Sequence, residues 1–508
     1  MPAVALGRPN LGLDTLFRLA SPGTQARLAP AARRAVAACR ARVRSAVAGG
    51  GALYGINTGF GKLAGVRIEA DKLGLLQRNL ILSHATGVGD PLPVEVCRLA
   101  LALRVQALAR GFSGVRVELL EHVLAFLNAD LIPVIPEQGS VGASGDLAPL
   151  AHMALPLLGH GEVHHRGKVV SGRRALALLR RPPIALAEKE GLALINGTQI
   201  MTAIGLLALR DALQVARCAD VACATTLEAL RGSVKPFLAE VHALRPHPWQ
   251  AATAANLRAL LRDSRIVPSH ADCAKVQDAY SMRCAPQVHG AARDALAFAE
   301  RVLLAEANSV TDNPLVLRDG RVVSAGNFHG QPVSQAMDFL GIALATLANI
   351  SERRIENLVN PDISGLPPFL APHPGLDSGY MIPQVVAAAL ASENKTLAHP
   401  SSVDTIPTSA NREDHVSMGV TAARHAARIA ANSRKVVAIE LMCAVQGLEC
   451  GARLRPGRGV QAAQRAVRRV VPPLRSDRFL APDLRAIERL IEDGSLLRAV
   501  EARAGRLA

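Results

Sequence analysis

A chain of 508 residues with 49% apolar and 20% charged residues can bury a sizeable core, which excludes wholesale disorder. Aromatic residues make up 3%, so Ala and Leu supply the hydrophobicity, and helices are favoured over an aromatic-rich β sandwich. A net charge of +16, with only eight lysines among 58 basic residues, raises a nucleic-acid or anionic-surface reading that depends on where the arginines sit. They are spread among Ala and Leu along helical stretches, often beside Glu, so they read as solvated helix faces, and neither nucleic acid nor membrane is an expected partner.

In chain order, the first twenty residues lack a basic stretch followed by an apolar run, so no secretory leader is expected. Residues 94–110 carry apolar side chains at helical spacing around Arg98 and Arg104, and Gly111 closes the run. Residues 117–128 repeat the pattern. A stretch dense in Gly, Ser and Ala follows at 137–150, where Asp146 is the expected N-cap of a helix with Pro149 in its first turn. A short β signal covers 162–170. Long Ala/Leu-rich helices are then expected over 192–230, 290–309, 332–359, 381–397 and 414–447, with a second β signal at 316–324 around the turn Arg318-Asp319-Gly320. From Gly451 onward the chain is rich in Arg and Pro. The pattern predicts a mainly α protein: an N-terminal domain over 1–195 with short β elements, and a long-helix bundle over 196–508.

Eight scattered cysteines (Cys39, Cys97, Cys218, Cys223, Cys273, Cys284, Cys443 and Cys450) form no CxxC pair, which suggests a reduced, cytoplasmic protein. No run of about 18 uninterrupted apolar residues is present, so no membrane span is expected. His160, His164 and His165 cluster near Glu162 without an HExxH or CxxC motif, so no metal site is expected. There is no phosphate-cradling GxxxxGK[ST].

The segment Gly139 to Met153 reads GSVGASGDLAPLAHM. It resembles the signature of the aromatic amino acid ammonia-lyases. Further segments match that family in order: Tyr54-Gly55-Ile56-Asn57-Thr58-Gly59-Phe60-Gly61, Ser83-His84-Ala85-Thr86-Gly87, Asn196-Gly197-Thr198-Gln199, Gln277 to Cys284, Gly326-Asn327-Phe328-His329-Gly330 and Asn411 to Met418. Ala279 and Met282 depart from the family's usual Pro and Leu, and neither change removes a reactive group. The resemblance implies the helical aspartase/fumarase-like fold and a homotetramer with shared active sites. It also implies that Ala143-Ser144-Gly145 cyclises into 4-methylidene-imidazole-5-one (MIO), an electrophile that needs no external cofactor. Ring closure brings the Gly145 nitrogen onto the Ala143 carbonyl, an approach that only small side chains allow.

The reaction so implied is loss of ammonia from L-histidine to give trans-urocanate. Tyr54 is then the base for the β-proton, which is not acidic and needs a positioned base. Tyr280 assists at the prosthetic group or the amine. Arg283 holds the substrate carboxylate with a planar fork. Asn196 and Gln277 are polar pocket residues, and Phe328 packs against the substrate ring. His84 and Glu413 favour histidine over phenylalanine or tyrosine, because each can bond an imidazole and a phenyl ring leaves His84 unpaired; Glu413 is also a catalytic residue that takes part in proton transfer. The competing readings are a phenylalanine or tyrosine ammonia-lyase, an aminomutase on the same prosthetic group, an inactive histidine-binding protein, and a nucleic-acid binder.

Overall fold

Ala, Leu and Arg fill the periodic stretches, and all three rank high in helix propensity. The computed structural model describes residues 2–49, 53–270, 276–451 and 454–508, and is mainly helical, with 60% helix and 7% strand. Val117–Asn128 and Met381–Leu397 are helical over the expected residues. Val94–Leu108, Ala285–Ala307 and Gln331–Val359 differ from expectation only at their ends.

Two expected helices are corrected. Residues 192–230 are not continuous: Glu190–Ile195 ends at Asn196, and a new helix runs Gln199–Ala229. The polar Asn-Gly-Thr between them leaves helical geometry, and Gly197 takes φ +150°. The helix expected from 414 begins instead at Gly419, because the backbone before it is held elsewhere: Val416 N–H donates to Thr405 Oγ1 at 2.9 Å, Met418 N–H donates to Val141 O at 2.9 Å, and Met418 takes φ +53°.

Contacts divide the chain into two units that are not contiguous in sequence. The first comprises Met1–Leu207, Ala299–Asp338 and Pro400–Arg424, and the second Ala208–Phe298, Phe339–His399 and His425–Ala508. The first break therefore follows Leu207 rather than residue 195, and two later segments belong with the first unit.

The first unit holds the strands. Both expected β signals form hairpins: Glu162–His165 pairs antiparallel with Lys168–Ser171, and Leu315–Val316 with Val322–Val323. His164 and His165 lie in the first hairpin, and among the described residues no group of three His, Cys, Asp or Glu is placed to hold a metal. At the centre of this unit, every residue of the helix Val94–Leu108 from Val96 onward is buried, Arg98, Arg104 and Gln106 included. A helix covered on all sides is a core helix.

The second unit is built of helices, with a buried ion pair near its middle. Arg354 meets Glu440 through Nε–Oε1 at 2.6 Å and Nη2–Oε2 at 2.8 Å, and both side chains are fully buried. The single tryptophan, Trp249, is half-buried in the helix Pro248–Leu260 of this unit. The Arg-rich C-terminal stretch forms the helices Arg458–Val470, Ala481–Glu492 and Ser495–Ala504.

The arginines are less superficial than their sequence context suggests. Arg40, Arg98, Arg104, Arg293 and Arg354 are all buried. Seven cysteines are free, five of them buried, and Cys273 lies outside the described residues. Among the described residues one helix, Gln331–Val359, is long and apolar enough to cross a bilayer by length and composition, although polar residues interrupt it. Of its most apolar stretch 67% is buried inside the protein, as in a core helix.

Candidate active site

The first unit contains a cavity of about 960 Å³. Tyr54, His84, Ala143, Ser144, Asn196, Phe328 and Glu413 all line it. Seven of the eleven residues singled out from sequence thus converge from segments spread over 360 positions of the chain, although no two of those segments are neighbours in sequence.

Ser144 is at the centre of the polar contacts. Its hydroxyl donates to Glu413 Oε1 at 2.9 Å, and its carbonyl oxygen accepts from Asn196 Nδ2 at 3.0 Å. Thr408 donates its hydroxyl to the other carboxylate oxygen of Glu413 at 2.6 Å. Ala143 is buried against Val416 and Met418. Gly145 has φ +78°, and a Cβ there would meet the Gly197 carbonyl oxygen at 2.1 Å, so the position admits no side chain.

Asp146 differs from its expected role. It precedes the helix Leu147–Ala154, yet its side chain makes no cap bond there. Instead Oδ2 accepts the backbone N–H groups of Ile200 at 2.8 Å and Met201 at 3.0 Å, at the start of Gln199–Ala229, while Ser140 donates to Oδ1 at 3.1 Å. The Asp146 N–H also donates to Gly197 O at 2.7 Å. Burial pushes the Asp146 carboxyl up to about 7, and the Met201, Ser140 and Ile200 donors oppose that rise. One residue therefore ties the Ala143–Gly145 loop to the helix that follows Asn196.

His84 ends the helix Leu73–His84, with Nδ1 3.1 Å from the Ser83 hydroxyl. Burial lowers its pKa, opposed by the Leu80 backbone and by the negative charge of Glu413. The Tyr54 hydroxyl accepts a long bond from Gly61 N–H at 3.5 Å. Phe328 and Glu413 are half-buried at the cavity wall.

Gln277, Tyr280 and Arg283 belong to the second unit and do not line this cavity. Tyr280 is 70% exposed on the short helix Tyr280–Arg283. The Arg283 guanidinium carbon stands 4.7 Å from the Tyr280 ring centroid, and Arg283 Nε has no hydrogen-bond partner.

Two polar residues beside the site were not evident from sequence. Thr408, which holds Glu413, has no local signal. Arg104 had one: a cation inside the apolar run Leu99–Leu108 is out of place unless it has a buried task.

The family profile for aromatic amino acid lyases matches residues 11–469. The chain belongs to the aromatic amino acid lyase family. Aromatic amino acid lyases of this kind break a carbon–nitrogen bond, and the chain is an enzyme of that class. It is 53% identical over 500 residues to a histidine ammonia-lyase of Gloeobacter violaceus, covering 98% of this chain and 97% of the relative. It is 55% identical over 512 residues to a histidine ammonia-lyase of Sorangium cellulosum, covering 99% of each. Among solved structures, the histidine ammonia-lyase from Trypanosoma cruzi superposes with a TM-score of 0.92 at 43% identity, over 99% of this chain and 95% of that one. The tyrosine aminomutase from Streptomyces globisporus gives 0.94 at 37% identity over 100% of both. The lyase thus has the helical aspartase/fumarase-like fold of these structures.

Proposed function

We propose that this lyase converts L-histidine to trans-urocanate and ammonia, with MIO formed from Ala143-Ser144-Gly145 as its electrophile. The observation that carries the reading is the placement of Ser144 between Glu413 and Asn196 inside one cavity with Tyr54 and His84. The surroundings fit the group. Gly145 has no room for a side chain, and Asn196 keeps a buried Oδ1 without a partner. Ring closure forms a bond from Gly145 N to the Ala143 carbonyl carbon. One water leaves with the Ala143 oxygen and the two amide protons of Ser144 and Gly145. A second leaves with the Ser144 hydroxyl and α-proton.

When formed, the group supplies an electrophilic carbon for the substrate amine, with negative charge gathering on the Ser144 carbonyl oxygen. Asn196 Nδ2 already donates to that oxygen, so the donor is in place before charge develops. Tyr54, half-buried at the wall, takes the β-proton, and the imidazole ring of the substrate spreads the charge left behind. Phe328 packs on that ring.

The choice of histidine follows from Glu413. Loss of the Ser144 hydroxyl leaves Oε1 facing the cavity without its donor, while Thr408 still holds Oε2. An imidazole N–H restores the missing bond, and a phenyl ring does not. His84 adds a second polar partner beside it.

Gln277, Tyr280 and Arg283 complete the reading as residues brought by a second copy in a homotetramer with shared sites. Tyr280 assists at the amine, and Arg283 and Gln277 hold the carboxylate end. Support comes from the exposure of Tyr280, and from the exposed apolar side chains Phe339, Ile342, Ile382 and Val385 on two long helices of the second unit. The reading includes a cytoplasmic enzyme with a small-molecule substrate, and no nucleic acid or membrane partner. Burial and ion pairing of many arginines support that part.

The test is incubation with L-histidine, L-phenylalanine and L-tyrosine, with products separated by chromatography. Urocanate from histidine is expected, and a β-amino acid product signals a mutase instead. Ser144→Ala is expected to keep the fold and abolish turnover. Turnover at the wild-type rate in that variant sinks the electrophile assignment.

A further inference from the structure

Five arginines are buried in the described residues, and four of them meet a carboxylate. Arg40 pairs with Glu188, Arg98 with Asp130, Arg293 with Asp220 and Arg354 with Glu440. Arg104 is the exception. It is 0% exposed, and it bonds to neutral groups: Nη1 donates to the Asn196 carbonyl oxygen at 2.8 Å and to Gln199 Oε1 at 2.5 Å. Its Nε and Nη2 have no hydrogen-bond partner. The acid that acts on it most strongly from a distance, Asp312, is already bonded to Lys189 at 2.7 Å. An interior cation without a paired anion is costly, and removing its charge would relieve that cost.

The position of this charge is specific. Arg104 grips the backbone of Asn196, whose side chain donates to the Ser144 carbonyl oxygen. The same guanidinium nitrogen would stand 2.4 Å from a Cβ at Gly197, so it fills the space beside that residue. Gly197 is in turn bridged to Gly145. Residues 196–199 are thereby held between Arg104 on one side and the Ser144–Asp146 backbone on the other.

We propose that Arg104 is a positioning residue for the lyase reaction, whose unpaired buried charge acts through Asn196 to favour negative charge on the Ser144 carbonyl oxygen. It touches neither substrate nor reacting atoms. The inference rests on the reading of Ala143-Ser144-Gly145 as the electrophile, and it adds a source of electrostatic preorganisation that the cavity lining does not reveal.

Three variants test it. Arg104→Met removes the charge at similar volume. Arg104→Lys keeps charge but loses the fork. Gln199→Glu sets a carboxylate against the guanidinium and neutralises it in place. Intact-protein mass reports whether the prosthetic group forms, as a deficit of two waters. The electrophile is then probed without substrate by cyanide, as the gain of one HCN, with cyanide carbon bonding to the electrophilic carbon and water supplying the proton.

Arg104→Met and Gln199→Glu are expected to show the deficit, and to add HCN and turn over histidine about 10- to 100-fold more slowly, the range typical of a group acting through another. KM for histidine should stay within about twofold, because the carboxylate and ring contacts are untouched. Arg104→Lys should retain most of the HCN rate. Tyr54→Phe, as a control, should lose turnover yet add HCN at the wild-type rate. Wild-type HCN rates in both Arg104→Met and Gln199→Glu overturn the proposal, as does a folded Arg104→Met protein without the deficit. If Arg104→Met does not fold, Gln199→Glu alone decides. Absence of the deficit in the wild-type protein instead overturns the electrophile reading, which is a separate result.

Discussion

Glu413 receives two hydroxyls in the folded chain, from Ser144 and from Thr408. Its negative charge also opposes the fall that burial imposes on the pKa of His84. These contacts assign it a division of labour, with one oxygen fixed by Thr408 and the other turned to whatever replaces the serine hydroxyl. Glu413→Gln keeps the shape but presents an amide in place of a uniformly accepting carboxylate. The expected outcome is a fall of roughly 100-fold in kcat/KM for histidine, of the size seen when one preorganised polar group is lost at a reacting site. Any residual rate with phenylalanine should change far less. Steady-state kinetics with both amino acids measure this, and equal losses on the two substrates would show that Glu413 does not read the imidazole. Thr408→Val is the milder companion, since it frees Oε2 without removing the charge.

At the scale of elements, helix starts are where this sequence and its fold part company. The long Ala/Leu runs were legible because their period survives burial. The interruption at Asn196-Gly197-Thr198 was legible as a polar stretch near an expected boundary at 195 and as a family motif, but the apolar runs on both sides were read as one helix across it. Asp146 was readable as an N-cap but not as the cap of a distant helix, because its partners are over fifty residues away. The cavity residues were legible through their motifs; Arg104 stood out as a cation in an apolar run but its partner did not, and Thr408 acts through a contact that no local pattern encodes.

A second buried acid at a helix start gives a pH prediction. Glu228 is 1% exposed, and both its oxygens accept the Gly457 N–H, at 3.0 and 2.9 Å, just ahead of the helix Arg458–Val470. Burial raises its pKa to about 7, well above the usual carboxylate range, opposed by Ser264 and Gly457. The folded state thus holds a proton that the unfolded chain releases earlier. The favourable contribution is complete below the unfolded value and is lost as pH rises through the folded one. Glu228→Gln removes this dependence while keeping an acceptor for Gly457. Its Tm relative to wild type should climb by at least a few degrees between pH 5 and pH 8. A difference that is flat over this window would mean that Glu228 is ionised throughout.

For the whole molecule, the proposed site draws its residues from both units. Seven of the proposed site residues line the cavity, and Gln277, Tyr280 and Arg283 do not. If a second copy brings them, two dead variants complement each other. Ser144→Ala and Arg283→Ala, each inactive or nearly so alone, should regain a share of wild-type activity when co-expressed and purified as mixed tetramers, because some sites then draw intact parts from both chains. No recovery in tetramers shown by mass to be mixed would place every site within a single chain. A solution mass near that of one chain would remove the shared assembly altogether. The position of Trp249 has a practical consequence for such work. It is the chain's only indole, and it belongs to the second unit, whereas every residue that lines the cavity belongs to the first. Its fluorescence therefore comes from a side chain of that unit, against a background of only three tyrosines. A conjugated ring built from Ala143-Ser144-Gly145 would absorb in the first unit. The protein would then carry one optical reporter for each half, and heating it while recording both would show directly whether the two melt as one.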